Sequence, residues 1–511
     1  MKIELPQDLP TAHSVITTLT SKNAELEQQL AWFRRQIFGR KSEKIVRQES
    51  RYQQLHLGEQ FIVSGPPTPP PSTTVKEHAR SATNKVVTSR EDERGLRFDQ
   101  NVPVEEITLP VPEIEGLSPG EYEVVRTEVT HVLAQRPGQY YVKRYTRPVV
   151  KVKGSFCPPP VVPLVLERSF ADVTLLAGIL IDKFIYHLPL YRIHQRLLAC
   201  GITISRATLT NYVHRACELL RPIADALVRS ILSSKVLLMD ETPVRAGRDK
   251  PGKMKRGYFW VIYGDEDEIS FLYFDTRASA VITQVLGEAF TGTLVTDQYP
   301  AYQRYTSTVL GVQHALCWSH MRREFFEALV DEPAASDIAL SEISNLYDIE
   351  ARIRDASAEK RQEVRGEESL VVIDRFFGWL RDEQKKNALL PSNKFQKAAT
   401  YALRHEDKYR LFLSNPDIPL DTNTLERGIR PNAIGRKNWL FCWTEVGAEY
   451  VGVIQSLLGS CRLQHVDPFR YLCDVLTRID THQMTDIDQL TPRRWKVLFG
   501  DASTSHSDHT A

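Results

Sequence analysis

Two aspartates, each placed directly after a short apolar run, are the residues best suited to chemistry. Asp240 follows the apolar residues 236–239, and Asp297 follows a second such run. Short apolar runs between polar residues predict buried strands, and residues 258–263 and 269–274 predict a hairpin between them. Such a sheet brings the two carboxylates side by side, where they repel each other unless divalent cations bind them. The pattern therefore predicts a two-metal site for phosphoryl transfer, with a third ligand downstream.

Glu426 is the candidate for that third ligand. Asp421 or Thr422 can cap a short helix, and Glu426, one turn inside it, could reach the carboxylates at the strand ends. Residues 331–413 have a helical pattern with mixed charge, which predicts a helical segment inserted before this acid. The order of strand, hairpin, strand and late acid is that of an RNase H-like sheet. Asp240, Asp297 and Glu426 are thus the candidate catalytic residues and metal ligands.

Cations and aromatic rings follow Glu426 closely. No acid occurs between Glu426 and Glu445, whereas basic residues and tryptophans are interleaved there. Cations beside a candidate metal centre, with flat rings among them, suit a bound phosphate backbone and stacked or extruded bases. The DNA contacts predicted in this segment are Arg427, Arg430, Arg436, Lys437 and Trp439.

Cys317 and His320 form a C-x-x-H spacing at the end of the strand predicted to follow Asp297. This spacing could begin a structural metal site, but such a site needs four ligands and no partners are evident. The favoured interpretation is a buried thiol and a histidine near the active cleft.

The first 50 residues predict a dimerising coiled coil followed by a basic arm. From Ile16 to Ile37 apolar positions step by three and four residues, and Asn23 falls at an a position, which favours an in-register dimer. A single amphipathic helix packed on its own domain is the alternative. Residues 66–74 are proline-rich and predict a stiff spacer. The arm is either a solvated charged surface or a phosphate-contacting segment, and it contains Arg34, Arg35, Arg40 and Lys41.

Two further segments precede the first aspartate. Residues 120–153 alternate in polarity and predict an antiparallel unit whose basic, tyrosine-rich return half either contacts DNA or forms a plain half-buried hairpin. Residues 190–213 predict two helices separated by Gly201, the second capped by Ser205, in a helix-turn-helix-like pair. Arg206 would lie on the second helix and contact DNA, although helix pairs also form cores without DNA.

Length and composition limit the number of domains and the class of protein. A chain of 511 residues is too long for one ordinary core, and its net charge of +1 leaves local clusters to indicate nucleic-acid binding. The seven cysteines have no framework spacing and include no C-x-x-C pair, which is cytosolic usage. No run approaches the roughly 18 apolar residues of a membrane span. We therefore expect a cytoplasmic, nucleoid-associated protein without a membrane partner.

Several motifs together resemble the transposase of the insertion sequence 66 family. They are LMDET at residues 238–242, VTDQY at 295–299, CWSHMRR at 317–323, NTLERGIRP at 423–431 with GRKNWLF at 435–441, and RRQIFGRKSEK at 34–44. The similarity runs in the expected order from about Ile16 to about Ile479, and the last two catalytic-region motifs are specific.

This resemblance implies a DDE transposase with an RNase H-like core interrupted by a helical insertion, and it places Asp240, Asp297 and Glu426 at the triad positions. It implies cleavage at the element's ends, which leaves a 3′-hydroxyl, and attack of that hydroxyl on target DNA. The implied cofactor is a pair of Mg²⁺ ions, for which Mn²⁺ should substitute. The implied partners are double-stranded DNA of the transposon ends and the target, further copies of the chain in a homodimer or higher oligomer, and accessory proteins of the same element.

The sequence departs from the family in one place. Members commonly carry a small zinc finger with paired C-x-x-C motifs before the helical region, whereas residues 111–163 keep only Cys157. We therefore expect no zinc, and we expect this unit to fold through strand pairing and its apolar face.

Two alternative functions belong to other classes. One is an RNase H-like nuclease without strand transfer, and the other is a catalytically inactive DNA-binding regulator derived from a transposase. The presence of all three acids argues against decay. Glu241 and Asp265 lie close to the first aspartate, and their amides should retain much more activity than amides of the triad.

The expected fold is multidomain, of α+β and α/β type, with an RNase H-like core and a helical insertion. The expected units are a coiled coil and arm (1–50), a proline-rich linker (51–100), a small β-rich unit at the zinc-finger position (101–165), a helical DNA-binding region (166–230), the first part of the core (231–330), the insertion (331–420), the completion of the core (421–480) and a tail (481–511).

Overall fold

The computed structural model describes residues 90–500, apart from residues 92–95, 101, 116, 119–120, 137, 153–154, 251–252, 387–391, 440–441 and 443. The predicted coiled coil, the basic arm with Arg34, Arg35, Arg40 and Lys41, and the proline-rich spacer lie outside the described residues.

A small sheet precedes the helical region. Its strands are β1 (Arg90–Glu91), β2 (Arg97–Phe98), β3 (Val104–Thr108), β4 (Tyr122–Arg136), β5 (Gln139–Val152) and β6 (Ser155–Cys157). The predicted hairpin is present as the antiparallel pair β4 and β5, with β3 parallel to β5 and β6 also paired with β5. Leu133 and Val142, on these two strands, are fully buried and pack into the main hydrophobic core. Strand pairing and apolar burial therefore hold this unit to the rest of the described chain.

The helix-turn-helix-like pair is also present. This region contains α1 (Val173–Phe184), α2 (Leu190–Ala199), β7 (Ile202–Thr203) and α3 (Arg206–Leu232). Gly201 follows α2 with φ +80°, a conformation that favours glycine. Ser205 caps α3, because its hydroxyl accepts a hydrogen bond from the Thr208 amide at 3.0 Å. Gly201 thus follows the first helix and Ser205 caps the second, as predicted.

The central sheet has five strands and carries the two aspartates. Its elements are β8 (Val236–Lys250), β9 (Lys253–Gly264), β10 (Glu268–Phe274), α4 (Ala280–Leu286), β11 (Gly292–Thr296), α5 (Pro300–Thr308) and β12 (Val312–Leu316). The strand order is β10-β9-β8-β11-β12. Strands β8, β9 and β10 form an antiparallel meander, whereas β11 lies parallel to both β8 and β12.

Strand β8 does not end at Asp240, in contrast to the prediction. Its parallel pairing with β11 stops at Leu238, but its antiparallel pairing with β9 continues to Lys250. Beyond Leu238 the strand keeps β9 on one side, and on the other side Cys442 exchanges main-chain hydrogen bonds with Arg245 and Gly247. Burial alternates here, with Val244 buried and Arg245 exposed. The end of the apolar run marks the loss of one neighbouring strand.

The remaining helices form the insertion and the end of the described chain. They are α6 (Trp318–Ala328), α7 (Pro333–Arg352), α8 (Ala358–Val364), α9 (Leu370–Lys386), α10 (Lys394–Leu403), α11 (Glu406–Tyr409), α12 (Asn423–Trp439), α13 (Glu445–Leu463), α14 (Pro468–Arg478) and α15 (Pro492–Phe499). The inserted segment is helical, as predicted. Trp318 packs there against Phe376, Phe377, Tyr409 and Phe412. The helix carrying Glu426 is longer than predicted and includes Pro431, which costs it one backbone hydrogen bond.

Helix α13 covers the edge strand β10 at close range. A Cβ atom on Gly452 would lie 2.5 Å from the Phe271 carbonyl oxygen, so only glycine fits there. The hydroxyls of Ser456 and Ser460 accept hydrogen bonds from the amides of Phe271 and Ile269 at 2.8 and 3.1 Å. These contacts satisfy edge amides that would otherwise be open to another strand. Among the described residues, no helix is long and apolar enough to cross a membrane.

Candidate active site

Asp240 and Asp297 occupy equivalent positions on neighbouring parallel strands. The last paired residues of β8 and β11 are Leu238 and Val295, and each aspartate lies two residues beyond its strand's member of that pair. The Oδ1 atom of Asp240 accepts a hydrogen bond from the Glu241 amide at 2.7 Å, and Oδ1 of Asp297 accepts one from the Tyr299 amide at 2.9 Å. The sheet register and these main-chain contacts fix the two carboxylates, as the sequence predicted.

Burial and neighbouring negative charge make Asp240 hard to ionise. Burial is the main cause that raises its pKa to about 7, and the charges of Glu241 and Asp297 add to it. The hydrogen bond from the Glu241 amide and the nearby His320 act in the opposite direction but do not cancel the effect. The site therefore concentrates carboxylates that an external cation would stabilise.

Glu241 is part of this site, although sequence analysis did not include it among the candidate catalytic residues. Its side chain is 2 % exposed, and burial raises its pKa. It accepts a hydrogen bond from the Tyr302 hydroxyl at 2.7 Å and forms an ion pair with Arg277. The position of Glu241 directly after a candidate ligand was the available signal.

Arg277 extends this network to the segment after Asp297. Its guanidinium lies 4.1 Å from the centre of the Tyr299 ring, and the Tyr299 hydroxyl donates to the Arg277 carbonyl at 2.8 Å. Tyr299 is also the residue whose amide binds Asp297. A continuous set of contacts therefore joins the end of one aspartate's strand to the loop that carries the other.

Glu426 reaches the site from α12, which Cys317 anchors. The amide and the hydroxyl of Thr422 both lie 3.2 Å from the Cys317 sulfur, which is buried at the end of β12. The Glu426 amide in turn donates to the Thr422 carbonyl at 3.0 Å. The predicted buried thiol is thus present, and it fixes the start of the helix that carries the third acid.

His320 lies beside Glu426 and within electrostatic range of the two aspartates. Its Nε2 atom is 3.7 Å from Oε1 of Glu426, and Arg323 approaches Oε2 of the same carboxylate at 4.0 Å. Burial would lower the pKa of His320, but its interaction with the Cys317 sulfur and the charges of Asp297 and Asp240 raise it to about 9. A positive imidazolium therefore faces all three acids.

The donors suit a hard divalent cation, although they are not drawn together into a finished cage. Within the described part of the chain, no group of three or more His, Cys, Asp or Glu side chains is close enough to hold a metal ion as it stands. The Oε1 atom of Glu426 is nevertheless buried without a hydrogen-bond partner, and Asp240 is a crowded buried carboxylate. Oxygen donors of this kind fit Mg²⁺.

The predicted DNA contacts differ in accessibility. Arg427, Arg430 and Lys437 are exposed on α12, whereas Arg436 is partly buried, and burial lowers its pKa. Arg206 is exposed at the start of α3.

Trp439 is held in the protein's own packing. Its ring makes edge contacts with Phe184 and His187 at centroid distances of 5.7 Å, and the Lys183 ammonium lies 5.3 Å from it. A stacked base would have to displace these contacts, so the structure gives Trp439 a packing role that the sequence did not predict.

Comparison with known proteins identifies the family. The family described as "Transposase IS66 family" matches residues 168–450, which is more than half of the chain. The "IS66 C-terminal element" matches residues 456–493, and "Transposase C of IS166 homeodomain" matches residues 25–107.

Full-length relatives occur in Sinorhizobium fredii. The uncharacterized protein y4jD is 28% identical over 97% of this chain and 98% of its own length. The uncharacterized protein y4hP is also 28% identical, over 92% of this chain and 88% of its own length. The aspartates on adjacent strands, the acid on α12 and these matches agree, and the chain belongs to the IS66 family of transposases, whose function is transposition.

Proposed function

We propose that this transposase acts as a DDE enzyme, which cuts DNA at the ends of its insertion sequence and joins the freed 3′ ends to target DNA. Asp240, Asp297 and Glu426 are its catalytic acids in this proposal. The observation that carries it is the equivalent placement of the two aspartates on adjacent parallel strands, with His320 linking them electrostatically to Glu426.

The topology supports assigning the core to the RNase H-like class. An antiparallel meander, β8 to β10, is followed by two parallel strands that are reached through helices. In this order the first and fourth strands are neighbours within the sheet, so acids at corresponding positions lie at the same edge of the sheet.

The carboxylates and the nearby arginines have separate roles. Asp240 would hold both of two magnesium ions, and Asp297 and Glu426 would each hold one. Bound ions would supply the positive charge that in-line displacement at a phosphodiester needs. Arg430 lies one helical turn after Glu426 and is exposed, as is Arg427, so both can neutralise phosphates of the strand being cut.

Amide variants test the assignment most directly. In Asp240→Asn, Asp297→Asn or Glu426→Gln, the shape is nearly kept but an anionic ligand is lost. Cleavage and strand transfer should both fall by several orders of magnitude, because both steps use one site. The assay uses the full chain, Mg²⁺ or Mn²⁺, and DNA carrying the inverted repeats that flank the gene. Asp265→Asn is the control, since the Asp265 carboxylate accepts a hydrogen bond from the Lys235 amide, just before the start of β8 and at the end opposite Asp240's extension.

The same assay separates the alternatives. Hydrolysis of the ends without joining of a pre-cut end would identify a nuclease. DNA binding without either reaction would identify a regulator. A rate for Asp297→Asn near that of the unmodified protein would remove the triad assignment. Calcium should support binding but little chemistry, because its coordination is looser than that of magnesium.

We also propose that residues 16–37 mediate self-association. A chain that begins near residue 66 should lose its oligomers and its paired-end complexes while the remaining part stays folded. Light scattering of the free and DNA-bound proteins measures this, and an unchanged mass would contradict it.

A further inference from the structure

Three arginines line a small recess formed by elements that include β8 and α12, which also carry Asp240 and Glu426. The recess has a volume of about 350 Å³ and is lined by Pro243, Val244, Arg245, Arg256 and Arg436. Two of the arginines come from the hairpin of β8 and β9, and the third comes from α12, the helix that also carries Glu426. These five residues form the three-arginine recess.

The two hairpin arginines stand directly opposite each other. Arg245 and Arg256 are cross-strand partners in the register of β8 and β9, so their side chains share one face of the hairpin. Like charges at such positions destabilise a strand pair. Arg436 adds a third positive charge, and burial lowers its pKa.

No carboxylate balances these charges within the described residues. Arg245 donates only to the Met254 carbonyl, at 3.4 Å, and Arg256 packs 5.5 Å from the Tyr258 ring. The lysines of the same hairpin behave differently, because Lys253 pairs with Asp249 at 3.4 Å and Lys255 pairs with Glu445 at 2.7 Å. Among the described residues, the neighbouring lysines therefore have carboxylate partners, whereas the arginines of the recess form no ion pair with a carboxylate.

A phosphodiester is an anion that suits these three guanidinium groups. A guanidinium presents a planar fork of donors that matches phosphate oxygens, and three such forks around one recess suit one backbone phosphate. Arg245 lies five residues after Asp240 on β8, a path of about 17 Å, and Arg436 lies ten residues after Glu426 on α12, a path of about 15 Å. Both routes correspond to about five base-pair steps along a duplex.

We propose that the three-arginine recess binds a backbone phosphate of the duplex that occupies the active site, about five base pairs from the phosphate that is cut. This inference rests on the proposed function, because it assumes that the carboxylates act on DNA. It adds Arg245 and Arg256, which the sequence did not mark, to the DNA-contacting surface, and it gives Arg436 a defined partner.

The first test measures how salt weakens DNA binding. The double variant Arg245→Gln with Arg256→Gln is compared with the unmodified full chain on transposon-end DNA, with calcium in place of magnesium. Loss of one phosphate contact should reduce the slope of log affinity against log salt by about one. The affinity advantage of the unmodified chain should then shrink about 3.5-fold between about 50 and about 200 mM salt. The control is Arg352→Gln, which removes an arginine paired with Glu368 on the insertion.

The second test locates the phosphate. Single methylphosphonate linkages, which lack the charge, are placed in turn along each strand of the end DNA. The unmodified chain should bind more weakly when the neutral linkage lies about five base pairs from the cut. The double variant should be insensitive to that linkage and as sensitive as the unmodified chain to all others.

The outcomes separate this inference from the proposed function. If the unmodified chain and the control bind end DNA and the double variant has the same salt slope and the same linkage pattern, the recess does not contact phosphate. A melting temperature of the DNA-free double variant below that of the unmodified chain would show that the arginines serve the fold, which also overturns the inference. An equal or higher melting temperature is expected, because a repulsive pair is removed. Failure of the unmodified chain to bind end DNA would overturn both proposals.

Discussion

The protein holds the three acids of the candidate site in position in two different ways. Asp240 and Asp297 belong to the central sheet, where adjacent parallel strands and main-chain hydrogen bonds fix them. Glu426 belongs to a helix that begins only after the helical insertion, and contacts between Thr422 and the Cys317 sulfur hold the start of that helix against the sheet. The aspartates therefore depend on strand register, whereas the glutamate depends on a side-chain anchor and on the insertion's correct packing.

This difference indicates where the site can be adjusted. A strand register cannot shift by one residue without turning every side chain to the other face. Helix α12 is instead held by side chains, by Thr422 at its start and by Trp439 at its end, and Glu426 has a buried oxygen without a hydrogen-bond partner. Disturbing the sheet side should therefore change the chemistry most, and disturbing the helix side should change it less.

The largest of these further effects is expected for Glu241→Gln. The amide keeps the shape but removes the negative charge that binds Arg277, so the contacts from β8 to Tyr299 and Asp297 weaken. We expect cleavage to fall about 10- to 100-fold, as for loss of groups that orient catalytic residues. Single-turnover cleavage of end DNA measures it. Asp265→Asn should stay near the unmodified rate, and equal rates for both variants would contradict a role for Glu241.

A smaller effect is expected for Thr422→Val on the helix side. Valine keeps the branched shape but removes the hydroxyl that contacts Cys317, a loss of about 1 kcal/mol of stability. Glu426 should be less firmly placed, and cleavage should fall by a factor of several while DNA binding is unchanged. Thr477→Val is the matched control, because the exposed Thr477 hydroxyl on α14 donates to the Cys473 carbonyl of its own helix at 2.8 Å. A larger loss in the control would disprove the anchoring role of Cys317.

The smallest effect is a pH dependence of stability at His314, which joins the central sheet to the helical insertion. Its Nε2 atom lies 2.9 Å from the Thr296 hydroxyl on the sheet, and Lys408 of the insertion lies 3.1 Å from Nδ1. Burial, followed by the charges of Lys408 and His405, lowers its pKa from 6.5 to about 3. Below pH 6.5 the unfolded chain therefore takes up a proton that the folded chain refuses, and stability falls as pH falls.

His314→Gln removes this dependence. Between pH 7 and pH 5 the unmodified chain should lose about 2 kcal/mol more unfolding free energy than the variant, at about 1.4 kcal/mol per unit below the pKa of the unfolded chain. Denaturant unfolding followed by tryptophan fluorescence at the two pH values measures the difference. Parallel losses in the two proteins would show that His314 is not kept neutral.

The strands, the two aspartates and the helical insertion were predictable from sequence because each depends on local pattern. Apolar runs, the Ser205 cap and Gly201 report on their own surroundings. The extension of β8 past Asp240 was not predictable, because it depends on pairing with β9 and on a bridge to the distant Cys442, and this pairing leaves a mixed pattern of polarity.

The contacts of individual side chains could not be predicted from the sequence either. The burial of Glu241 against Arg277 and Tyr302 joins segments that are distant in sequence. A tryptophan among arginines in the sequence is compatible both with base stacking and with packing in the protein. The contact between Trp439 and Phe184 is seen only in the fold. Sequence thus indicated which residue types were available, and tertiary contacts decided what each one touches.

The cover on strand β10 has a consequence for the protein's synthesis. The Ile269 amide is satisfied by the Ser460 hydroxyl, a residue made 191 positions later. At about 5 to 20 residues per second, a ribosome needs roughly 10 to 40 s to supply it. Throughout that interval the nascent sheet has an open edge, a surface to which unfinished chains on the same messenger can add strands. Cells that produce this protein quickly should therefore accumulate aggregates of incomplete chains, and a slower rate of translation or a chaperone that binds extended segments should improve the yield of the folded enzyme.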